Sequence, residues 1–505
     1  MDSRFTRRAI VRAILLGMAS STLTACGGGG SGSSPPSAPS TPTPSPNQPD
    51  DPETPEEPEC PPEETAGAQP PRGLHASWTD HPHTTRTLTW FTDGTTDPGT
   101  RVQYGPVTGD ADSCSLTNEA FPFEVTGTAH ETYGVEALTH VATLTGLQAG
   151  QAVRYRVGSD NGGWSPTRVL APTRINGFRF CHFGDHGLRD ASQRVLSNVE
   201  DLAPDFFIVA GDLSYANGDQ PVWDRYFDML EPLAARVPVM TCPGNHENKD
   251  GGGQGYRTRV SQPGKGIYYG FDYNRVHFFF STGGSLLTDL SSTTELLVEL
   301  AAMEKDLAEA WRRRRDGEID FIVFVQHYTL WTNCEGRDPA NFALVAVEEQ
   351  ILLRYDVDLV LVGHDHVFER SHPMAYGKLS DNGYVQVTQG GGGQSLYELI
   401  EDPANWAAVS RVCHGFTVVD VEDRRIHARS YAVSDEDGNL YPEGEEILLD
   451  EFTLAPRVAA PTGITPLSTR EQRPARSLAE LDVDLNAMLK HTLQRNLTHD
   501  MNEMH

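Results

Sequence analysis

Five apolar runs constrain the fold of this chain more than any other feature of its sequence. They lack the polar alternation of a surface strand, so each predicts a strand buried on both faces. Every run also ends in a polar cluster. The runs are 178–183, 206–210, 237–240, 321–325 and 359–362, and the clusters are Gly184-Asp185-His186-Gly187, Gly211-Asp212-Leu213-Ser214-Tyr215, Gly244-Asn245-His246-Glu247, Gln326-His327 and Gly363-His364-Asp365-His366.

Predicted helices separate some of these runs, at 294–315 and 343–355. Apolar strands alternating with helices predict an α/β layered domain, which we place at 174–456. In such domains ligands gather outside the carboxyl ends of the strands, so the five clusters are expected to meet in one site. A single cluster of this kind would more often be a turn.

The residues before this domain follow another pattern. Short alternating strands between turn residues predict a small all-β sandwich over 72–173. The segment Leu144-Thr145-Gly146-Leu147, followed by Tyr155-Arg156-Val157-Gly158, resembles fibronectin type III-like modules. We interpret this module as a brace rather than as a binding domain.

Taken in order, the five clusters resemble the blocks D-x-G, G-D-x-x-Y, G-N-H-D/E, V-x-x-H and G-H-x-H of the calcineurin-like metallophosphoesterases. Tyr215 in the second block is typical of the purple acid phosphatases within that superfamily. The fourth block, Phe324-Val325-Gln326-His327, departs from the pattern only at its first position. The resemblance spans about residues 72 to 455. It implies a β-sandwich core flanked by helices.

The resemblance also implies a dinuclear metal centre. The first ion would be bound by Asp185, Asp212, Tyr215 and His366, and the second by Asp212, Asn245, His327 and His364, with Asp212 bridging. Carboxylates and a phenolate suit Fe(III), whereas imidazole and amide ligands suit Fe(II), Zn(II) or Mn(II). A hydroxide bridging the two ions would then hydrolyse phosphate monoesters.

Three residues near the predicted centre have more open roles. His246 is expected to contact phosphate, together with Asn245, or to protonate the leaving group, although it could instead orient a metal ligand. Arg337 either holds phosphate through its guanidinium or is an exposed loop charge. It follows the fourth block in a loop that lacks a histidine many purple acid phosphatases have there. His186 either faces the site or fills its turn.

The glycine run 390–393 follows Gln389 but lacks the lysine and the Ser/Thr of a P-loop. We expect it to let a strand end pass close to the metals.

Both ends of the chain differ in composition from its middle. Residues 1–26 predict a signal peptide, with Arg7 and Arg8 before a short apolar run. The segment 23–26 looks like a lipobox, which would make Cys26 a lipid anchor and the protein a bacterial envelope lipoprotein of the outer membrane or periplasm. The arginine pair loosely resembles a twin-arginine export signal. Residues 27–71 predict a disordered tether, and 457–505 a tail with one helix.

Charge and cysteine content limit the partners. A net charge of -30 disfavours nucleic acid as a partner. The resemblance to the purple acid phosphatases implies small phosphate esters as substrates. None of the seven cysteines forms a C-x-x-C pair. Cys181 and Cys242 are expected as packed thiols, and Cys334 with Cys413 is a candidate disulfide.

Two alternative functions remain open from the sequence. One is a phosphodiesterase with the same core, and the other is a non-catalytic surface lipoprotein on this scaffold.

Overall fold

The computed structural model describes residues 67–108, 120–264, 266–286 and 293–457. The predicted signal peptide, the lipid-anchor residue Cys26, nearly all of the tether and the C-terminal helix lie outside these residues. No helix in the described part of the chain is both long enough and apolar enough to cross a membrane.

The N-terminal module is built from two antiparallel sheets that face each other. One sheet has the strand order β1-β2-β6-β5, and the other has the order β4-β3-β7-β8 with β9 beside β7. Side chains that alternate inward along these strands, such as Leu88, Trp90 and Tyr155, form its core. The strands are β1 Arg72–Ser77, β2 Arg86–Asp93, β3 Arg101–Pro106, β4 Phe123–Thr126, β5 Thr128–Glu131, β6 Ala137–Leu144, β7 Val153–Ser159, β8 Gly163–Trp164 and β9 Arg168–Leu170.

Two larger sheets form the second part of the chain. The first has the order β12-β11-β10-β22-β23-β24, and the second has the order β13-β14-β15-β16-β20-β17-β21. Their strands are β10 Phe178–Phe183, β11 Phe206–Ala210, β12 Val239–Cys242, β13 Tyr269–Tyr273, β14 Val276–Phe280, β15 Phe321–Val325, β16 Leu359–Val362, β17 Phe368–Ser371, β18 Met374–Ala375, β19 Lys378–Leu379, β20 Val385–Gln389, β21 Ala407–Arg411, β22 Gly415–Glu422, β23 Arg425–Ala432 and β24 Ile447–Leu454; β18 and β19 form a separate hairpin.

Helices cover the outer faces of these two sheets. They are α1 Asp190–Asp201, α2 Pro221–Ala234, α3 Asn245–Asn248, α4 Gln254–Arg257, α5 Thr293–Arg315, α6 Phe342–Leu344 and α7 Gln350–Arg354. A π-helical turn, Val345–Glu349, joins α6 to α7. The predicted helix 294–315 is therefore present, whereas the predicted helix 343–355 is interrupted by a wider turn.

The apolar runs are buried on both faces because each strand is covered twice. Inward residues such as Phe178, Phe206 and Phe278 pack between the two sheets. Outward residues such as Phe183 and Phe207 pack under α1 and α2. The result is a β-sandwich flanked by helices, as the resemblance to the metallophosphoesterases implies.

The two parts of the chain share a buried contact along α2. The backbone N–H of Leu74 donates to Glu231, which also pairs with Arg168. The Tyr155 hydroxyl donates to the carbonyl of Ala235 at 2.6 Å. The N-terminal module is thus held against the helix that follows the second polar cluster.

All four cysteines within the described residues are free and buried. Cys181 and Cys242 lie in β10 and β12 as packed thiols, as expected. The candidate disulfide between Cys334 and Cys413 is not formed, so that hypothesis is wrong in this structure.

Candidate metal centre

Each of the five polar clusters follows a strand whose carboxyl end points toward the same edge of the sandwich. Strands β10, β11 and β12 are parallel neighbours in one sheet, and β15 and β16 are parallel neighbours in the other. Parallel strands present their carboxyl ends at one edge, so two sheets can supply ligands from opposite sides. The clusters meet between the two sheets rather than along one of them.

The predicted ligand atoms form two groups. In the first group, the Tyr215 hydroxyl lies 3.1 Å from Asp185 Oδ1 and 3.1 Å from His366 Nε2, and that nitrogen lies 3.2 Å from Asp185 Oδ1. These three atoms share one small volume. All three belong to the set that the sequence resemblance assigns to the first ion.

The second group is centred on His327 Nε2. This nitrogen lies 3.1 Å from Asn245 Oδ1, 3.2 Å from His364 Nδ1 and 3.3 Å from Asp212 Oδ2. It is 3.9 Å from Asp185 Oδ1 of the first group, so the two groups adjoin. The four side chains are those that the resemblance assigns to the second ion.

The spacing of these atoms fits bound cations. Donor atoms about 2.1 Å from a shared ion and at right angles to one another lie about 3 Å apart, as these atoms do. Asp185, Asp212 and His327 meet the geometry of a three-ligand metal site, and all three are buried. Two buried carboxylates surrounded by neutral imidazole, phenol and amide groups are the donors that a dinuclear centre requires.

Hydrogen bonds outside the ligand groups orient two of the imidazole rings. His327 Nδ1 bonds to the carbonyl of Ala210 at 2.8 Å, and His366 Nδ1 bonds to the carbonyl of Ser395 at 2.6 Å. A carbonyl can only accept, so each Nδ1 carries the hydrogen. In each ring Nε2 is therefore the nitrogen that remains to bind a metal.

Backbone strain is concentrated at the same place. Asp185, Asp212, Tyr215 and His364 have φ values of 57°, 51°, 56° and 69°. Non-glycine residues seldom adopt this left-handed region, at a cost of about 1–3 kcal/mol each. The surrounding structure must hold these turns in place, and their left-handed geometry aims the side chains at one point.

Close backbone approach explains the glycines of the clusters. A β-carbon at Gly211 would lie 2.5 Å from His327 Nδ1, and one at Gly363 would lie 2.6 Å from Asp185 Oδ2. One at Gly390 would overlap the carbonyl of Asp365. It would also lie 3.0 Å from Asp185 Oδ2, so Gly390 passes beside a predicted ligand, as the sequence suggests.

The electrostatics follow from this crowding. Burial lowers the pKa of His327, but the carboxylates of Asp212 and Asp185 outweigh it and raise the pKa to about 10. Burial and the same two carboxylates raise the pKa of Tyr215 well above its usual value. The cluster therefore attracts positive charge, which a proton or a metal cation can provide.

The three residues with open roles occupy different places. His246 is half-buried, with Nε2 3.8 Å from Asp212 Oδ2 and its ring 4.2 Å from that of Tyr215. His186 is fully buried and bonds to the carbonyl of Ser192 at 3.0 Å, so it fills its turn. Arg337 lies at the rim of the site.

Arg337 reaches the predicted centre from the loop after β15. Its Nε is 3.2 Å from Asp365 Oδ1, and its guanidinium lies 5.3 Å over the ring of Tyr397. Tyr397 in turn stacks on His366, with ring centroids 4.1 Å apart. Burial, followed by the charge of Arg337, lowers the pKa of His364. Arg337 is therefore held beside the ligands and is not a free loop charge.

Sequence reasoning missed two residues that shape the site. Asn217 Oδ1 bonds to His246 Nδ1 at 2.6 Å, from a left-handed turn two residues after Tyr215. The Glu247 carboxylate accepts backbone N–H groups from Asp212 and from Gly244, at 2.9 and 2.7 Å, and so joins two of the clusters. Glu247 belongs to the third polar cluster, and Asn217 comes two residues after the second. Their position in or beside these clusters is the sequence signal that could have identified them.

Comparison with known proteins agrees with this geometry. Residues 178–368 match the calcineurin-like phosphoesterase family, and residues 71–170 match the N-terminal domain of purple acid phosphatases. Acid phosphatase type 7 of Mus musculus is 27% identical over 418 residues, which cover 73% of this chain and 89% of the mouse protein. Purple acid phosphatase 22 of Arabidopsis thaliana is 27% identical over 266 residues, covering 50% of this chain and 58% of the plant protein.

A solved structure shares the fold. The purple acid phosphatase PPD1 from yellow lupin (Lupinus luteus) seeds has a TM-score of 0.60 and 21% sequence identity, covering 77% of this chain and 75% of the lupin chain. The two family matches cover the two parts of the chain in the order that the structure shows. The chain therefore joins the N-terminal domain of purple acid phosphatases to a calcineurin-like metallophosphoesterase domain, and it is a phosphoric ester hydrolase.

Proposed function

We propose that this protein hydrolyses phosphate monoesters at a pair of metal ions. The observation that carries the proposal is that the seven predicted ligands form two groups. Neighbouring donor atoms within each group lie about 3 Å apart. Asp185, Tyr215 and His366 would hold one ion, and Asn245, His327 and His364 the other, with Asp212 bridging. The hard anionic donors of the first group favour Fe(III), and the second group favours Fe(II), Zn(II) or Mn(II).

A bound pair of cations supplies Lewis-acid polarisation of the phosphoryl group and activation of the attacking water. The side chains of this protein supply orientation and proton transfer. Asn245 would hold the phosphoryl group beside the second group of ligands. His246 Nε2 faces the same space, since Asn217 accepts a hydrogen bond from Nδ1. A protonated Nε2 would give its hydrogen to the departing alkoxide oxygen, which then leaves as an alcohol.

Arg337 supports the preference for monoesters. A phosphate monoester carries a second negative charge that a diester lacks, and the Arg337 guanidinium lies at the rim of the site. A hydrogen bond to a charged group contributes about 1.5–3 kcal/mol, or roughly 10–100-fold in affinity. We assign Arg337 to the recognition of that second charge.

Parallel assays on p-nitrophenyl phosphate and on bis(p-nitrophenyl) phosphate test this function. We expect a higher kcat/KM for the monoester, and a loss of about 10–100-fold for the monoester alone in Arg337→Gln. Arg411→Gln, on the exposed edge strand β21, is the matched control. A clear preference for the diester would make the protein a phosphodiesterase. No turnover of either ester by metal-loaded protein would favour the non-catalytic alternative.

We further propose that a lipid on Cys26 anchors the protein to the bacterial cell envelope. The support is the sequence of residues 23–26, the arginines before it and the Pro- and Ser-rich segment after it. That segment would hold the catalytic domain away from the membrane surface. Cys26→Ser should move the protein from the membrane fraction to the soluble fraction, and an unchanged membrane fraction would refute the anchor.

A further inference from the structure

Two buried glutamates lie behind the strand end that carries His327. Glu299 is on α5 and Glu348 is in the π turn, and both are 2% exposed. Glu299 accepts three hydrogen bonds, from Ser281 Oγ at 2.9 Å, from the Thr282 N–H at 2.7 Å and from the Thr282 hydroxyl at 2.5 Å. Burial raises the pKa of Glu299, and its three hydrogen bonds oppose that rise. Because three donors on one carboxylate favour its ionised form, Glu299 is the better placed of the two glutamates to carry the negative charge.

Glu348 has a different set of neighbours. Its carboxyl group contacts the side-chain amide of Gln326, which also donates to the carbonyl of Tyr328 at 2.9 Å. Glu348 Oε2 and Gln326 Oε1 are both buried, and neither receives a hydrogen bond from any of the described residues. These are two acceptors without donors on side chains that touch, an arrangement that is unfavourable for buried polar groups.

A single added proton would remove both unpaired acceptors, Glu348 Oε2 and Gln326 Oε1. If Glu348 carries a proton on Oε2, that hydroxyl donates to Gln326 Oε1. The second amide N–H of Gln326 donates back to Glu348 Oε1, which closes a ring of two hydrogen bonds. We propose that Glu348 is a neutral carboxylic acid in the folded protein and that it positions the His327 strand end through this pairing with Gln326.

The electrostatics agree with the hydrogen-bond geometry. Burial, followed by the negative charge of Glu299, raises the pKa of Glu348 well above its ordinary value, and the Gln326 contact offsets only part of this. Two buried carboxylates close together cannot both ionise without a cation. The proton resides on Glu348 because Glu299 has three donors.

Gln326 transmits this pairing to the metal centre. Its backbone N–H bonds to Leu361 in β16, and its side chain reaches past His327 to the carbonyl of Tyr328. The turn that delivers His327 is therefore fixed on both sides by one glutamine, and Glu348 fixes that glutamine. Glu348 is thus a positioning residue, and this role rests on the assignment of His327 as a metal ligand.

The π turn explains why Glu348 is available at that place. The adjacent Glu349 is also fully buried and accepts hydrogen bonds from the Tyr376 N–H at 2.7 Å and the Tyr384 hydroxyl at 2.9 Å. Turns of this kind often mark functional positions, because they re-aim side chains within a helix. Here the wider turn lets two consecutive glutamates enter the buried body of the domain.

Infrared spectroscopy of the full chain, with isotope-labelled glutamate at mildly alkaline pH, tests the protonation state directly. The difference spectrum between wild type and Glu348→Gln should contain a protonated carboxyl band that shifts with the label. Absence of that band overturns the proposal. This measurement does not depend on the substrate or on activity, so its failure is distinct from failure of the proposed function.

A pair of variants tests the positioning role. Glu348→Gln preserves the shape and the neutral charge, and an amide can form the same ring with Gln326, so metal content and kcat should stay within about 3-fold of wild type. Glu348→Ala removes the ring and should lower metal affinity or kcat by about 10–100-fold with little change in KM. Equal losses in both variants would overturn the proposal. If the alanine variant does not fold, the glutamine variant still tests the proposal, because a large loss of metal content or kcat in Glu348→Gln would overturn it.

Discussion

His277 gives the protein a stability that should depend strongly on pH. It lies on β14, away from the metal centre, with Nδ1 2.8 Å from Asp272 Oδ1 and Nε2 2.6 Å from Asp306 Oδ1. Arg313 Nη1 also forms an ion pair with Asp272, 2.6 Å from its Oδ2. Burial lowers the pKa of His277, but the two carboxylates outweigh it and raise the pKa to about 9.

The sign of the effect follows from this raised value. The folded state holds its proton more tightly than the unfolded state, so the stabilisation is fully present below about pH 6.5. It is lost as the pH rises through about 9. At about 1.36 kcal/mol per pH unit, the shift from 6.5 to about 9 corresponds to about 3 kcal/mol. This is a large fraction of the stability of a typical domain.

The perturbation is His277→Gln, measured by urea denaturation from about pH 6 to about pH 10. The variant should be less stable than wild type at low pH, and the difference should shrink by about 3 kcal/mol across this range. Asp306→Asn, which removes one of the two carboxylates, should give a smaller pH effect than wild type. Glu304→Gln is the control, because that carboxylate is on the same helix but pairs with Arg354.

Parallel stability curves for wild type and His277→Gln would refute this reasoning. They would mean that the two carboxylates do not hold the histidine charged in the folded state. A loss of the pH effect in Glu304→Gln would equally show that it arises elsewhere in α5.

Three further predictions concern the metal centre. Gly244→Ala should lose bound metal, measured by elemental analysis, because the new methyl group would overlap Asp212 Oδ1; normal metal content would contradict the close approach. Asn217→Ala frees the His246 ring and should lower kcat by about 10–100-fold, more for esters with poor leaving groups; an equal loss for good leaving groups would argue against proton donation. Tyr215→Phe should abolish any visible absorption of the iron-loaded protein while circular dichroism stays unchanged, and retained colour would exclude the phenolate as its source.

The sequence by itself determined the strands and the kinds of ligand. Continuous apolar runs can only be stable where both faces are covered, so they identify buried strands without a structure. The polar residues at their ends must then lie at the carboxyl edge of a sheet. The buried strands and the position of the polar residues can both be inferred from short stretches of sequence, because each depends only on residues that are neighbours in the chain.

Only the tertiary structure decided how these residues divide into two groups. Asp185 and His366 are far apart in sequence and lie in loops after different sheets, so their 3.2 Å separation depends on how the sheets face each other. The same holds for the rim position of Arg337, for Asn217 beside His246 and for the buried pairing of Glu348. Packing between sheets is set by the sum of many weak contacts across the core, and no local pattern in the chain encodes a distance across it.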